Sequence, residues 1–185
     1  MQEISLHILD LLENSIAAGA DKITLMVKDD PYEDELTLVV TDNGCGMTAE
    51  QCKTAVSPFH TARTTRRVGL GLAFLEMAVT QCGGQLRIES HPGGGTEVMA
   101  TFCHSHPDRQ PLGDMASTIT SALLGQENLR FEYLHIYKTK RMKLSWTELE
   151  LLMETPLQLT NPFHLQQLEL YIREQLWTIY GGESS

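Results

Sequence analysis

The chain has 185 residues, 42% hydrophobic and 21% charged, with a net charge of −10. That balance describes a globular protein of one or two domains with enough apolar residues for a core, and it excludes a disordered or low-complexity chain. No apolar run approaches the ~20 residues that cross a bilayer, Met1-Gln2-Glu3 lacks the basic start of a leader, and the acidic total argues against general attraction to nucleic acid or membrane, so a cytoplasmic protein is expected.

Ile4, Ile8, Leu11, Leu12 and Ser15 recur at helical spacing and Gly19 is a natural stop, which predicts a first helix over Glu3 to Ala18. Ile23 to Lys28 and Leu36 to Thr41 are rich in branched residues and flank a polar stretch, the pattern of two antiparallel strands. Thr48 with Gln51 three residues on signals a capping box and a short helix to about Ala55, followed by a loop to about Val68. Gly69 through Cys82 reads as a helix, and Gln85 to Ser90 and Thr96 to Cys103 as strands joined by His91-Pro92-Gly93-Gly94-Gly95. This order lacks the strict β-α-β alternation of a parallel doubly wound sheet. It predicts a two-layer α/β sandwich with a mixed, mainly antiparallel sheet and helices on one face.

Residues 104–111 read as a linker, rich in polar residues and proline, dividing a first domain over 1–103 from a small C-terminal α/β unit over 112–185. In that unit Asp114 caps a helix to Leu124, Leu129 to Tyr137 is strand-like, Lys138, Lys140, Arg141 and Lys143 form a solvated hairpin tip, Ser145 and Glu148 make a second capping box, and Asn161-Pro162 opens a final helix. Phe131, Tyr133, Trp146 and Trp177 suit either a partner-docking surface or packing against the first domain. The four cysteines lie in four different elements with no C-x-x-C pair, which fits reduced thiols rather than disulfides or a structural metal.

No G-x-x-x-x-G-K-[ST] is present, so phosphates are not held by a P-loop. Gly44-Cys45-Gly46-Met47-Thr48-Ala49 matches the dinucleotide fingerprint, but Asp42 would set a carboxylate beside the entering pyrophosphate, where negative charge must be welcomed. A carboxylate followed by glycines suits a different task. It accepts a hydrogen bond from an exocyclic amino group while the glycines let a flat base approach the backbone. Adenine carries that amino group.

Four segments in order, Asp10 to Asn14, Asp42 to Gly46, Gly69 to Gly71 and Gly94 to Thr96, resemble the pocket of the GHKL (Bergerat-fold) ATPase superfamily, over roughly residues 1–103. The resemblance implies that Asp42 binds the adenine amino group, with Thr96 helping through a water and Gly44, Gly46 and Met47 shaping the base pocket. It implies ATP and Mg2+ as ligands, the metal held by Asn14 together with the phosphates. The run from Ser57 to Leu72 is similar to the ATP lid of sensor histidine kinases, which implies that Gly69, Leu70, Gly71 and Leu72 bind the nucleotide, with N–H groups of Gly69 and Gly71 toward the phosphates, and that Arg63, Arg66 or Arg67 reaches them with a bidentate fork; His60 could contact phosphate but reads rather as a packing or surface residue. The first helix is similar to that of MutL, but Asp10 stands where MutL-like and gyrase-like ATPases carry a catalytic glutamate. The missing methylene shortens its reach by roughly 1.5 Å.

His7, Asp10 and Asn14 share one helix face, a pattern that also fits a plain solvated face. Glu13 points about 100° away. His104 and His106 are too few for a metal site, and Cys45 is expected to be a small space-filler. The expectation is therefore a stand-alone ATP-binding protein of the histidine-kinase type, similar in outline to bacterial anti-sigma kinases. It would act as a protein kinase or slow ATPase on a separate protein partner, with Asp10 the candidate base, or as an ATP-dependent conformational switch; a homodimer is one arrangement open to it.

Overall fold

The computed structural model describes residues 3–56, 71–145, 147–148 and 158–181. Helix α1 (Ile4–Ala17) leads into β1 (Lys22–Asp30) and β2 (Glu35–Asp42), then α2 (Ala49–Ala55), α3 (Gly71–Gln81), β3 (Gln85–Ser90) and β4 (Thr96–Cys103). Helix α4 (Met115–Leu123), β5 (Arg130–Tyr137), β6 (Lys140–Leu144) and α5 (Pro162–Tyr180) complete it. The six strands form one sheet in the order β3-β4-β2-β1-β5-β6, in which only β1 and β5 run parallel. The fold is thus the expected α/β sandwich with a mixed, mainly antiparallel sheet.

Local signals explain the element ends. The Thr48 hydroxyl accepts from the Gln51 N–H at 3.2 Å while the Gln51 side chain accepts from the Thr48 N–H at 2.8 Å, so both halves of the capping box are made. Asp114 caps α4 by accepting from Ser117 N–H, and Asn161 caps α5 with Pro162 in its first turn. The capping pair of Ser145 and Glu148 is also formed.

Alternation then builds the core. Ile23, Leu25 and Val27 of β1, Leu36, Leu38 and Val40 of β2, Val98, Ala100 and Phe102 of β4, and Phe131 and Tyr133 of β5 are buried, and the registers put them on one face. That face meets Ile4, Ile8, Leu11 and Leu12 of α1, the residues read from spacing, each worth about 1.5–3 kcal/mol when removed from water.

The described strands of residues 112–181 join the same sheet as those of residues 3–103. Strand β5 pairs along β1 from Lys22 opposite Arg130 to Asp29 opposite Tyr137, and α4 and α5 share the core cluster of α1. The physical reason is the β1 edge: its ladder groups and apolar face would lie open without β5. Phe131 and Tyr133 are accordingly core residues rather than docking residues, while Trp177 is 61% exposed and Trp146 lies outside the described residues. Lys140 to Lys143, expected as a hairpin tip, are largely strand β6, and the turn itself is Lys138-Thr139, with Lys138 at φ 55 and its ammonium 4.7 Å from the Tyr137 ring centroid.

At the far end of the core face a polar chain crosses from β5 to β1. The Tyr133 hydroxyl meets His135 Nδ1, His135 Nε2 lies 3.0 Å from the Tyr180 hydroxyl, and that hydroxyl donates to Asp29 Oδ2 at 3.2 Å. Since the Tyr180 proton goes to a carboxylate, Tyr180 must accept from His135 Nε2–H, and His135 Nδ1 in turn accepts from Tyr133. The imidazole is neutral in this arrangement, and burial pulls its pKa down to about 3. Asp29 Oδ1 also lies 2.7 Å from His104 Nδ1.

Candidate nucleotide site

The opposite end of the same face carries the residues singled out by sequence. Asp42, the last residue of β2, is the Cα partner of Thr96 on β4, which is in turn the partner of Ser90 on β3, so three polar side chains stand in one row. Asp42 Oδ2 accepts from the Ser15 hydroxyl at 2.7 Å, and Asp42 Oδ1 accepts from the Gly44 N–H at 2.8 Å. Each oxygen keeps further lone pairs. The carboxylate is held in position from one side and open as an acceptor on the other.

The glycines answer to contacts. Gly46 sits at φ +65, and a Cβ there would lie 2.0 Å from the His91 carbonyl oxygen. Gly95 sits at φ +80, where a Cβ would lie 2.0 Å from the Asp42 carbonyl oxygen. A Cβ on Gly44 would meet that of Ala18 at 2.9 Å, and the Cys45 N–H donates to the Ala18 carbonyl at 3.0 Å. The segment from Asp42 to Gly46 therefore lies tight along the end of α1, with the turn before Thr96 pressed onto it. Met47 packs against the core, and its N–H donates to Ser90 at 2.8 Å.

Five residues back along α1, roughly 7 Å along the axis, lies Asp10. A Cβ on Gly71, the first residue of α3, would stand 3.0 Å from Asp10 Cβ and 3.1 Å from Asp10 Oδ2, so the carboxylate lies against the start of α3. Asn14 is half-buried one turn from Asp10, its amide without a hydrogen-bond partner among the described residues. Gly71 and Leu72 are buried at the head of α3, and Glu13 is exposed. His60, Arg63, Arg66, Arg67, Gly69 and Leu70 lie outside the described residues.

His7, on the helix face that also fitted a solvated stripe, is buried beside Gln110, and burial holds its pKa below the ordinary imidazole value against the raising effects of Gln110 and Asp10. Cys45 is exposed, so it fills no space; its backbone, not its side chain, ties the segment to α1 and Gly93. His104 faces Asp29, and His106 Nδ1 accepts from the Asp108 N–H at 3.1 Å.

Sequence reasoning missed Ser15 and Ser90 as site residues. A serine at an otherwise aliphatic core position of α1 was the available signal for the first; the second had none. A separate cavity of about 870 Å³, bounded by Met115, Leu170, Arg173 and Trp177 among others, shares no lining residue with the Asp42 row.

Carboxylate, glycine cradle, threonine and asparagine-bearing helix are thus gathered at one end of the sheet face. The model of the family described as histidine kinase-, DNA gyrase B- and HSP90-like ATPase matches residues 2–106, and the chain belongs to that family. It is 33% identical over 119 residues to the non-motile and phage-resistance protein of Caulobacter vibrioides, covering 60% of this chain and 14% of that one. It is 45% identical over 56 residues to the DNA mismatch repair protein MutL of Pelodictyon phaeoclathratiforme, covering 30% of this chain and 8% of that one. Among solved structures, the N-terminal domain of a DNA repair protein superimposes with a TM-score of 0.53 at 20% identity, covering 78% of this chain and 53% of that chain, a likeness of fold. The chain spans only a small part of the curated relatives' length, and no helix among the described residues is long and apolar enough to cross a membrane.

Proposed function

We propose that this chain binds Mg-ATP and uses it as a protein kinase or slow ATPase acting on a separate protein partner. The observation that carries the reading is the fixed Asp42 carboxylate: Ser15 and Gly44 hold it opposite Thr96, and the same helix that supplies Ser15 presents Asp10 and Asn14. Adenine would sit at the Asp42–Thr96 end with the phosphates toward Asn14 and Gly71. The unpartnered Asn14 amide fits a hard cation held mainly by phosphate oxygens, and magnesium there would neutralise charge on the phosphates. The arginines of 63–67 are the proposed phosphate-side cations.

A second reading, in which ATP closes the pocket and alters the surface seen by a partner without turnover, is favoured by the placement of Asp10. Its carboxylate packs against Gly71 and is one methylene, roughly 1.5 Å, shorter than the glutamate that activates water in MutL-like ATPases.

Incubation with magnesium and γ-labelled ATP separates the readings. Label on a partner protein means kinase, free phosphate means ATPase, and tight binding with neither means switch. Absence of any nucleotide binding overturns both. If Asp10→Asn leaves phosphate release unchanged, Asp10 is not the base.

A further inference from the structure

The hydroxyl of Ser90 makes three contacts at once. It accepts from the Met47 N–H at 2.8 Å, lies 2.8 Å from the Gly95 carbonyl oxygen as its donor, and stands 2.9 Å from Thr96 Oγ1. A hydroxyl has one proton and two lone pairs, so this set has only one consistent solution. Gly95 is buried and its carbonyl can only accept, so Ser90 gives its proton there; otherwise two oxygens would face each other 2.8 Å apart with no proton between them. Met47 fills one lone pair. The 2.9 Å contact with Thr96 is then satisfied only if Thr96 donates into the other.

The consequence falls on Thr96. With its proton committed to Ser90, Thr96 offers only lone pairs toward the site. Its strand partner Asp42 also offers only lone pairs, because a carboxylate has no proton and both its oxygens already receive one bond from the protein. The row is an acceptor-only edge.

We infer that Ser90 is a specificity-positioning residue: by fixing the Thr96 hydroxyl as an acceptor, it makes the pocket select purines that carry a 6-amino donor and reject 6-oxo purines. The inference rests on the nucleotide-binding reading above and adds to it a residue with no contact to ligand. An exocyclic amino group brings two N–H donors to the two acceptors, directly or through one water. A 6-oxo group brings lone pairs against lone pairs, and neither hydroxyl of the row, Ser90 or Thr96, is free to turn and meet it. Removing the Ser90 hydroxyl would release the Thr96 proton, which could then donate to a 6-oxo group.

The test compares dissociation constants of ATP and inosine triphosphate, which differ in the 6-position group, by calorimetry on the full chain. Ser90→Ala is expected to narrow the ATP preference about tenfold, the scale of one hydrogen bond, while Ser90→Thr keeps it. Thr96→Val is expected to narrow it similarly, and the double variant to narrow it no further, since Ser90 acts through Thr96. A merely structural Ser90 would weaken both nucleotides equally and leave their ratio unchanged, which overturns the inference. Should Ser90→Ala fail to fold, a Thr96→Val ratio equal to that of the wild type overturns it instead. Failure of the underlying reading looks different: the wild type would bind neither nucleotide, or Asp42→Asn would bind ATP as the wild type does.

Discussion

Two hydrogen-bonded clusters stand at opposite ends of one sheet face, about 20 Å apart along β1. At the Asp42 end, Ser15 and Gly44 donate to Asp42, Ser90 to the Gly95 carbonyl and Thr96 to Ser90, which leaves acceptors over. At the Asp29 end, the protons of Tyr133, His135 and Tyr180 are passed along a closed relay that ends on a carboxylate. Both are polar groups set in an apolar core. What distinguishes a candidate ligand site from a brace is the capacity left unspent, which only a donor-by-donor count reveals.

If the contrast is sound, Asp42→Asn should weaken ATP binding about a hundredfold or more, near 3 kcal/mol, while lowering the melting temperature by no more than about 4 °C. Calorimetry and a thermal melt on the same sample check this; equal losses in both would make the Asp42 end a brace too.

Tyr180→Phe should do the reverse. It removes the acceptor for His135 Nε2–H and the donor to Asp29, at a cost of about 2 kcal/mol in stability, and leaves ATP affinity unchanged within about twofold. A denaturant midpoint read beside the ATP dissociation constant would break the comparison if both moved together.

Acid should act through the brace as well. His135 is held to about 3 from an ordinary 6.5, so the unfolded chain takes up its proton first as pH falls. The stability from the neutral imidazole is complete above the unfolded value and is lost between pH 6.5 and 3, amounting to about 2 kcal/mol by pH 5. His7, also lowered by burial, adds in the same direction. Urea midpoints at pH 7 and 5 measure it, and His135→Gln should flatten the slope.

The smallest effect is expected at Asp10. Asp10→Asn keeps the shape beside Gly71 and should change ATP affinity less than about threefold, so that any larger fall would draw the phosphate side into the binding energy.

Much of this could be read in the chain. The spacing of Ile4, Ile8, Leu11 and Leu12, the Thr48–Gln51 box and the alternation along β1, β2 and β4 each act within a few residues, so local sequence reports them. The pairing of β1 with β5 escaped because it joins residues about a hundred positions apart through backbone groups that are the same in every residue. That pairing also turned Phe131 and Tyr133 into core residues and made His135 a buried link.

The same division runs through the candidate site. By itself the sequence determined that a carboxylate precedes closely spaced glycines, that a glycine-rich turn precedes Thr96 and that an asparagine lies on the first helix, since residue types and short spacings are carried by the chain directly. Which lone pairs remain free on Asp42 and Thr96 was decided only by tertiary structure. Ser15, Gly44 and Ser90 come from α1, the segment after β2 and β3, and the direction of each proton depends on partners that folding alone brings within 3 Å.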